Sequence, residues 1–277
     1  MGIGYFLIAC LLFTIMTLLA RLASREVSLG SILFFQNIIG LATVLPWLAK
    51  HGWKLVHTKR FGLILFRTLV SLVAIFLSFL AVQRTSLVET ILFNNASPLW
   101  IPFVVLIWRK IPIQHRMWPG LIAGFIGILL VLQPGKEIIQ IGALFAIGAG
   151  VLASINMVSL RLLSYTERNH TVMFYYFLIC ALICIPFLFT SWPKGNWILW
   201  GEIMGIGVSF ALGQWAFVRS FHFAKASQLG PFCYSAVVYS VLLDWAFYGQ
   251  IPNLLAWVGI ALICAGGVWA INLSTKP

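Results

Sequence analysis

The chain has 277 residues, 61% of them hydrophobic and 9% charged, with mean hydropathy +1.01 and a formal net charge of +12. Soluble domains carry about 45–50% apolar and about 25% charged residues, so a cytosolic enzyme, a secreted disulfide scaffold and a nucleic-acid binder are excluded. What remains is an all-α polytopic membrane protein, in which ten spans of about 20 residues leave about seven residues for each connection.

In chain order, the apolar runs predict spans over Tyr5–Leu22, Ser31–Ala49, Phe61–Val82, Leu87–Trp108, Trp118–Leu132, Ile141–Leu163, Val172–Thr190, Ile198–Phe221, Gln228–Tyr248 and Leu254–Ile271. Gln133-Pro134-Gly135-Lys136, Trp192-Pro193-Lys194-Gly195-Asn196 and Gln250-Ile251-Pro252-Asn253 read as turns between them. The start, Met1-Gly2-Ile3-Gly4, lacks a basic region and a cleavage site, so it is expected to be a retained first helix. Trp47, Trp53, Trp108, Trp118, Trp192, Trp197 and Trp200 lie where spans end, as interfacial aromatics do. With the amino terminus inside, inner segments hold twelve basic residues, and outer segments hold five: Arg21, Arg25, Arg84, Lys136 and Lys194. That balance predicts both termini in the cytoplasm.

A shift of 140 residues carries Ile111-Pro112 onto Ile251-Pro252 and Gly127 onto Gly267. Five spans per half is an odd number, so a second repeat over 137–277 would enter the membrane upside down relative to the first, over 1–136. Inverted repeats around a central cavity build alternating-access carriers.

Chemistry is sparse. The five cysteines, Cys10, Cys180, Cys184, Cys233 and Cys264, lie in apolar spans and read as packing residues, with no metal or cofactor ligand set and no catalytic motif. Of six acids, Glu26, Glu137 and Glu167 fall in loops, and Glu89, Glu202 and Asp244 lie near outer span ends. A midplane acid would mark proton coupling. None is present, so facilitated diffusion or exchange is expected, with Asp244 the remaining coupling candidate. Arg67, about two turns inside the third span, suits a substrate carboxylate or phosphate, or a headgroup reached by snorkelling.

Uncharged polar residues sit deeper. Asn94 and Asn95 lie beside Pro98, and the 140-residue shift maps them to Tyr234 and Ser235 beside Pro231. Each half thus offers hydrogen-bonding groups beside a proline, a combination tolerated best next to a cavity. Thr14, Thr17, Ser71, Ser78, Ser154, Asn156, Gln214, Trp215 and Tyr239 are expected to add to a lining, with Phe76, Phe79, Phe210 and Trp215 as aromatic walls. For a single Ser or Thr the competing reading is a bond between packed helices, about 0.6 kcal/mol each. Gly120 and Gly124 in the fifth span, and Ala261 and Ala265 in the tenth, suit close contact inside the monomer or across a homodimer.

The stretch Ala81-Val82-Gln83-Arg84-Thr85-Ser86-Leu87-Val88-Glu89-Thr90-Ile91-Leu92-Phe93-Asn94-Asn95-Ala96-Ser97-Pro98-Leu99 resembles the third-to-fourth helix signature of EamA-type carriers of the drug/metabolite transporter superfamily. Ala226-Ser227-Gln228-Leu229-Gly230-Pro231-Phe232-Cys233-Tyr234-Ser235 is similar to the matching signature of their second half. The resemblance implies paired five-helix repeats around a central cavity, commonly a dimer, and transport of small metabolites. Such carriers usually place a Glu before the turn that opens the last helix of each repeat; Lys110 and Gln250 stand there instead. The expected function is alternating-access transport of an amino acid or similar zwitterionic or amphipathic solute in a bacterial-type inner membrane. A lipid flippase on the same fold and, more remotely, an intramembrane lipid-modifying enzyme are the alternatives.

Overall fold

A computed structural model describes residues 1–52, 56–82, 93–110, 116, 118–133, 141–188, 197–249 and 253–274. Glu89, Glu137, Lys136 and Gln250 lie outside the described residues, as do the side chains of Phe79 and Asp244. Among the described residues the regular structure is helical throughout: α1 Gly2–Ala23, α2 Leu29–His51, α3 Phe61–Val82, α4 Ser97–Arg109, α5 Trp118–Leu132, α6 Ile141–Leu163, α7 Asn169–Leu188, α8 Trp197–Phe223, α9 Ala226–Leu229, a 3-10 segment Gly230–Tyr234, α10 Ser235–Tyr248 and α11 Leu254–Ser274. Among the described residues, seven stretches are long and apolar enough to cross a bilayer, and Ser97–Trp108, Trp118–Leu132 and Leu254–Trp269 are shorter apolar helices. The protein is a multi-pass membrane chain.

Two of the predicted spans differ from the structure in the same way. The fourth, expected to be continuous, turns at Ala96, and α4 starts at Ser97 with Pro98 in its first turn. The ninth is broken by the 3-10 segment around Pro231 before α10 resumes at Ser235. Proline supplies no N–H and fixes φ, so it opens a helix readily but does not sit inside one without cost. Hydropathy is blind to both breaks, because the residues flanking each proline are mostly apolar.

The helices form two compact units, each drawing on both halves of the chain: Met1–Thr68 with Leu162–Phe223, and Leu69–Arg161 with Ala224–Pro277. In the first unit, α1 runs antiparallel along α8, where Leu19 meets Gly205 and Phe13 meets Gly213. Antiparallel α2 and α7 meet through Gly40 against the Phe177 ring and through Trp47 stacked on His170 at 3.9 Å. One apolar core of this unit gathers Ala23, Val27 and Ile32 with Leu199, Ile203 and Ile206.

The second unit is built on α5 against α11. Gly120 faces the Gly266 carbonyl, and Gly127 faces that of Gly259, so the helices run antiparallel at backbone contact. At one end Gln133 and Asn253 exchange side-chain amide bonds of 2.9 and 3.2 Å. The glycine face of α5 is thus spent inside the chain, whereas Ala261 and Ala265 are exposed.

Turns at matching positions repeat. After α1, the N–H groups of Glu26 and Val27 both bond the Ala23 carbonyl; after α6, those of Thr166 and Glu167 both bond that of Leu163. The second turn carries an addition: Glu167 Oε1 accepts the backbone N–H of Lys59 (3.0 Å) and of Arg60 (3.1 Å), at the start of α3. Arg60 is the N-cap, its carbonyl accepting from Leu63 and Ile64. A carboxylate suits the positive end of a helix, and Glu167 is buried. Glu167→Ala leaves these two donors without their acceptor. Its expected cost is about 1–3 kcal/mol, read as a lower thermal midpoint of the purified chain, with Glu167→Gln restoring part of it.

Candidate functional site

The second unit brings the two helix breaks together along one face of α6. Gly150 lets the Phe93 carbonyl come close, with 2.7 Å separating that oxygen from where a Cβ would stand. One turn on, Ser154 Oγ donates to the Ser97 carbonyl at 2.6 Å and is also 2.9 Å from the carbonyl of Gly150. A further turn on, Met157 Sδ lies 3.9 Å from Cys233 Sγ in the 3-10 segment. Spacings of four and three residues place all three on one helical face, within about 10 Å of axis. Gly230, in turn, packs on Pro98 and Ile101.

Asn94 has a defined orientation. Ser78 Oγ spends its proton on the Ala74 carbonyl (2.9 Å), so it acts only as acceptor toward Asn94 Nδ2 at 3.1 Å. The amide oxygen therefore points away from Ser78. It is buried and has no hydrogen-bond partner among the described residues. The Tyr234 hydroxyl is in the same condition, and Tyr234 is fully buried. Its ring packs on Gly124 in a cluster with Ile128, Val237 and Ile263, rather than lining an open wall. Buried polar groups nearly always find partners, and a lone one costs about 1–3 kcal/mol. Two such atoms, Asn94 Oδ1 and the Tyr234 hydroxyl, lie beside the two helix breaks.

The other expected residues divide between the units. In the second, Ser235 Oγ bonds the Phe232 carbonyl at 2.7 Å, while Asn95, Asn156 and Tyr239 are half-buried. In the first, Thr14 and Thr17 turn back onto their own helix, donating to the carbonyls of Cys10 and Phe13 at 2.8 Å. Gln214 is buried on α8; Trp215 meets Tyr5 edge-on at 5.7 Å, and its carbonyl accepts from Asn169 Nδ2 at 3.2 Å. Phe210 sits among Phe13, Tyr176 and Phe177, and Phe76 is exposed. Arg67 is fully buried, its guanidinium carbon 4.8 Å above the Tyr176 ring. Snorkelling is therefore not its state here. Asn37, which the sequence reading passes over, is 3% exposed; its Nδ2 donates to the Leu33 carbonyl at 2.7 Å, and its Oδ1 has no partner among the described residues. The signal available for it was a Gln36-Asn37 pair inside an otherwise apolar span.

Lys110 closes α4 in the left-handed region (φ 52°), its N–H bonding the Leu106 carbonyl. Gly249 closes α10 in the same way at φ 66°.

A multi-pass helical chain with broken helices and buried amides has the build of a small-molecule transporter. The chain belongs to the EamA-like transporter family, whose model matches residues 1–133 and again 140–272. It is 26% identical to a riboflavin transporter of Vibrio cholerae, over 99% of this chain and 94% of that one. A pseudopaline exporter of Pseudomonas aeruginosa is 23% identical over 95% and 93% of the two chains. An S-adenosylmethionine uptake transporter of Rickettsia bellii is 20% identical over 99% and 94%. A protein of known crystal structure, 18% identical, shares the fold with a TM-score of 0.80 over 98% of this chain and 97% of its own.

Proposed function

We propose that the chain carries a neutral or zwitterionic organic solute, such as an amino acid, across a bacterial-type inner membrane by alternating access. Ten crossings form two inverted five-helix repeats, 1–136 and 137–277, with both termini cytoplasmic. The observation that carries the reading is the pair of proline-marked helix breaks, one from each half, with Asn94 Oδ1 and the Tyr234 hydroxyl beside them, both without a hydrogen-bond partner among the described residues. The antiparallel course of α5 and α11 and the turns recurring at a 140-residue offset support the inverted repeat. Asn94 and Tyr234, with Asn95, Asn156, Ser235 and Tyr239 near them, orient the polar end of the solute by hydrogen bonds.

Transport is uncoupled from protons, since no acid lies at mid-span in the sequence. Proteoliposomes holding the purified chain should exchange labelled amino acids at the same rate with and without a pH gradient. Uptake that stops when the gradient is collapsed would defeat this. A second reading, a flat heteroaromatic solute, is favoured by the similarity to riboflavin transporters along almost the whole chain. Competition of labelled uptake by excess riboflavin, against excess amino acid, separates the two.

A further inference from the structure

One end of the first unit gathers cations that the groups at the helix breaks leave unused. Lys50 closes the apolar stretch Gly30–Lys50, Lys59 and Arg60 stand immediately before Phe61–Ser78, and Arg168 stands immediately before Asn169–Pro186. All four are exposed. Each sits where a membrane-crossing stretch meets the headgroups. Their main chains converge as well. Glu167 Oε1 holds the N–H groups of Lys59 and Arg60, and Arg168 follows it in sequence. On antiparallel α2 and α7, Trp47 meets His170 and Gly40 meets Phe177, a pairing that brings the end of α2, with Lys50, to the level of Glu167 and Arg168.

The acid at this end does not quench them: Glu167 is buried and gives Oε1 to backbone N–H groups rather than to a side-chain cation. The opposite end of α2 is different. There Arg25 is followed by Glu26, both exposed, and Glu202 lies near the start of α8, so both signs of charge are mixed.

An apolar track leads away from the cations. Gly62, Phe66, Leu69, Val73 and Phe76 are exposed on α3, and their spacings of four and three residues put them on one helical face. From Phe66 to Phe76 the track is about 15 Å long, half of the roughly 30 Å hydrocarbon core and so the depth of one leaflet. Phe61, edge-on to Tyr175 at 5.3 Å, stands at the start of α3 next to Arg60.

We propose that this end of α3 is a binding site for an anionic phospholipid. The headgroup phosphate lies among Lys59, Arg60 and Arg168, Lys50 adds to the field, and an acyl chain follows the track from Phe66 to Phe76. A zwitterionic lipid offers the same chains but brings its own cation, which the cluster repels. A free phosphate offers the charge without a chain for the track. The inference stands apart from the transport reading, since it needs no solute to cross.

The test is the thermal midpoint of the full-length chain in detergent, titrated with dioleoyl phosphatidylglycerol, dioleoyl phosphatidylcholine or inorganic phosphate. Phosphatidylglycerol should raise the midpoint at a half-saturating concentration at least about tenfold below that of phosphatidylcholine, and phosphate at the same concentrations should do nothing. Combining Lys59→Gln, Arg60→Gln and Arg168→Gln should bring phosphatidylglycerol to the level of phosphatidylcholine. The lipid-free midpoint should hold, because the bonds to Glu167 come from main-chain N–H groups that these changes keep. Should the triple variant fail to fold, Arg168→Gln alone should weaken phosphatidylglycerol about fivefold. Arg25→Gln, at the opposite end, should leave it unchanged. Equal responses to the two lipids overturn the site, as does a chain that responds to neither. Phosphate matching phosphatidylglycerol would make it a free-anion site, and a loss in Arg25→Gln equal to that in Arg168→Gln would show diffuse charge rather than a site; either result overturns the proposal.

Discussion

Gly127→Val and Gly259→Val should each abolish monodisperse protein in detergent, while Gly127→Ala lowers the thermal midpoint without preventing folding. A Cβ at Gly127 would stand 2.6 Å from the Gly259 carbonyl oxygen, and one at Gly259 would stand 2.5 Å from that of Gly127. These obstacles are backbone, which cannot rotate aside as a side chain tip can. Alanine therefore forces α5 and α11 apart, an overpacking cost of about 1–3 kcal/mol, and valine adds two more carbons in the same gap. The control is Gly201→Ala on α8, where nothing lies within 4 Å. That change should hold or raise stability by about 0.5–1 kcal/mol, because alanine loses less freedom on entering a helix. A wild-type midpoint in Gly127→Ala would show that α5 and α11 do not meet at their glycines.

The second large effect is a split between stability and transport at Tyr234. Tyr234→Phe removes a buried hydroxyl that has no partner among the described residues and keeps the ring that fills the notch at Gly124. Deleting such a group should stabilise the chain by about 1–3 kcal/mol. If the hydroxyl serves the solute, the same change should slow transport by about tenfold, one lost hydrogen bond in the bound state. Thermal unfolding and proteoliposome flux on the same preparation read both quantities. A stabilised variant with unaltered flux would remove Tyr234 from the site. Asn94→Ala should also slow transport, and for a related reason, since it deletes the buried amide oxygen that the bond to Ser78 orients.

Much of the helical layout could be read in advance. Phe61–Val82, Trp118–Leu132 and Ile141–Leu163 have the same bounds in the sequence reading and in the structure. Each is an apolar run bounded by polar residues or turn formers; within lipid only a helix or a closed barrel satisfies the backbone, and an unbroken apolar run, without the alternation of barrel strands, fits the helix. Pro98 and Pro231 were also visible as points of disturbance. That the breaks take the form of a turn at Ala96 and a 3-10 segment was not, because propensity does not distinguish a kink from a stop.

The direction of each polar side chain was hidden for a different reason. Asn94 faces Ser78, sixteen residues away; Ser154 reaches Ser97, fifty-seven away; Glu167 reaches Lys59 across 108 residues. Thr14 and Thr17 looked like lining and instead bond within their own helix, which a hydroxyl can do from any helical position.

Composition and long unbroken apolar runs determined that this chain lives in a bilayer and is helical there, since within lipid the backbone pairs in a helix or a closed barrel, and barrel strands would alternate apolar with polar residues. Its amides and Arg67 could likewise be named without coordinates. Packing decided the rest: which glycines touch, which oxygens are left over, and that Arg67 lies over Tyr176. Those depend on contacts between helices far apart in sequence, where no local preference acts.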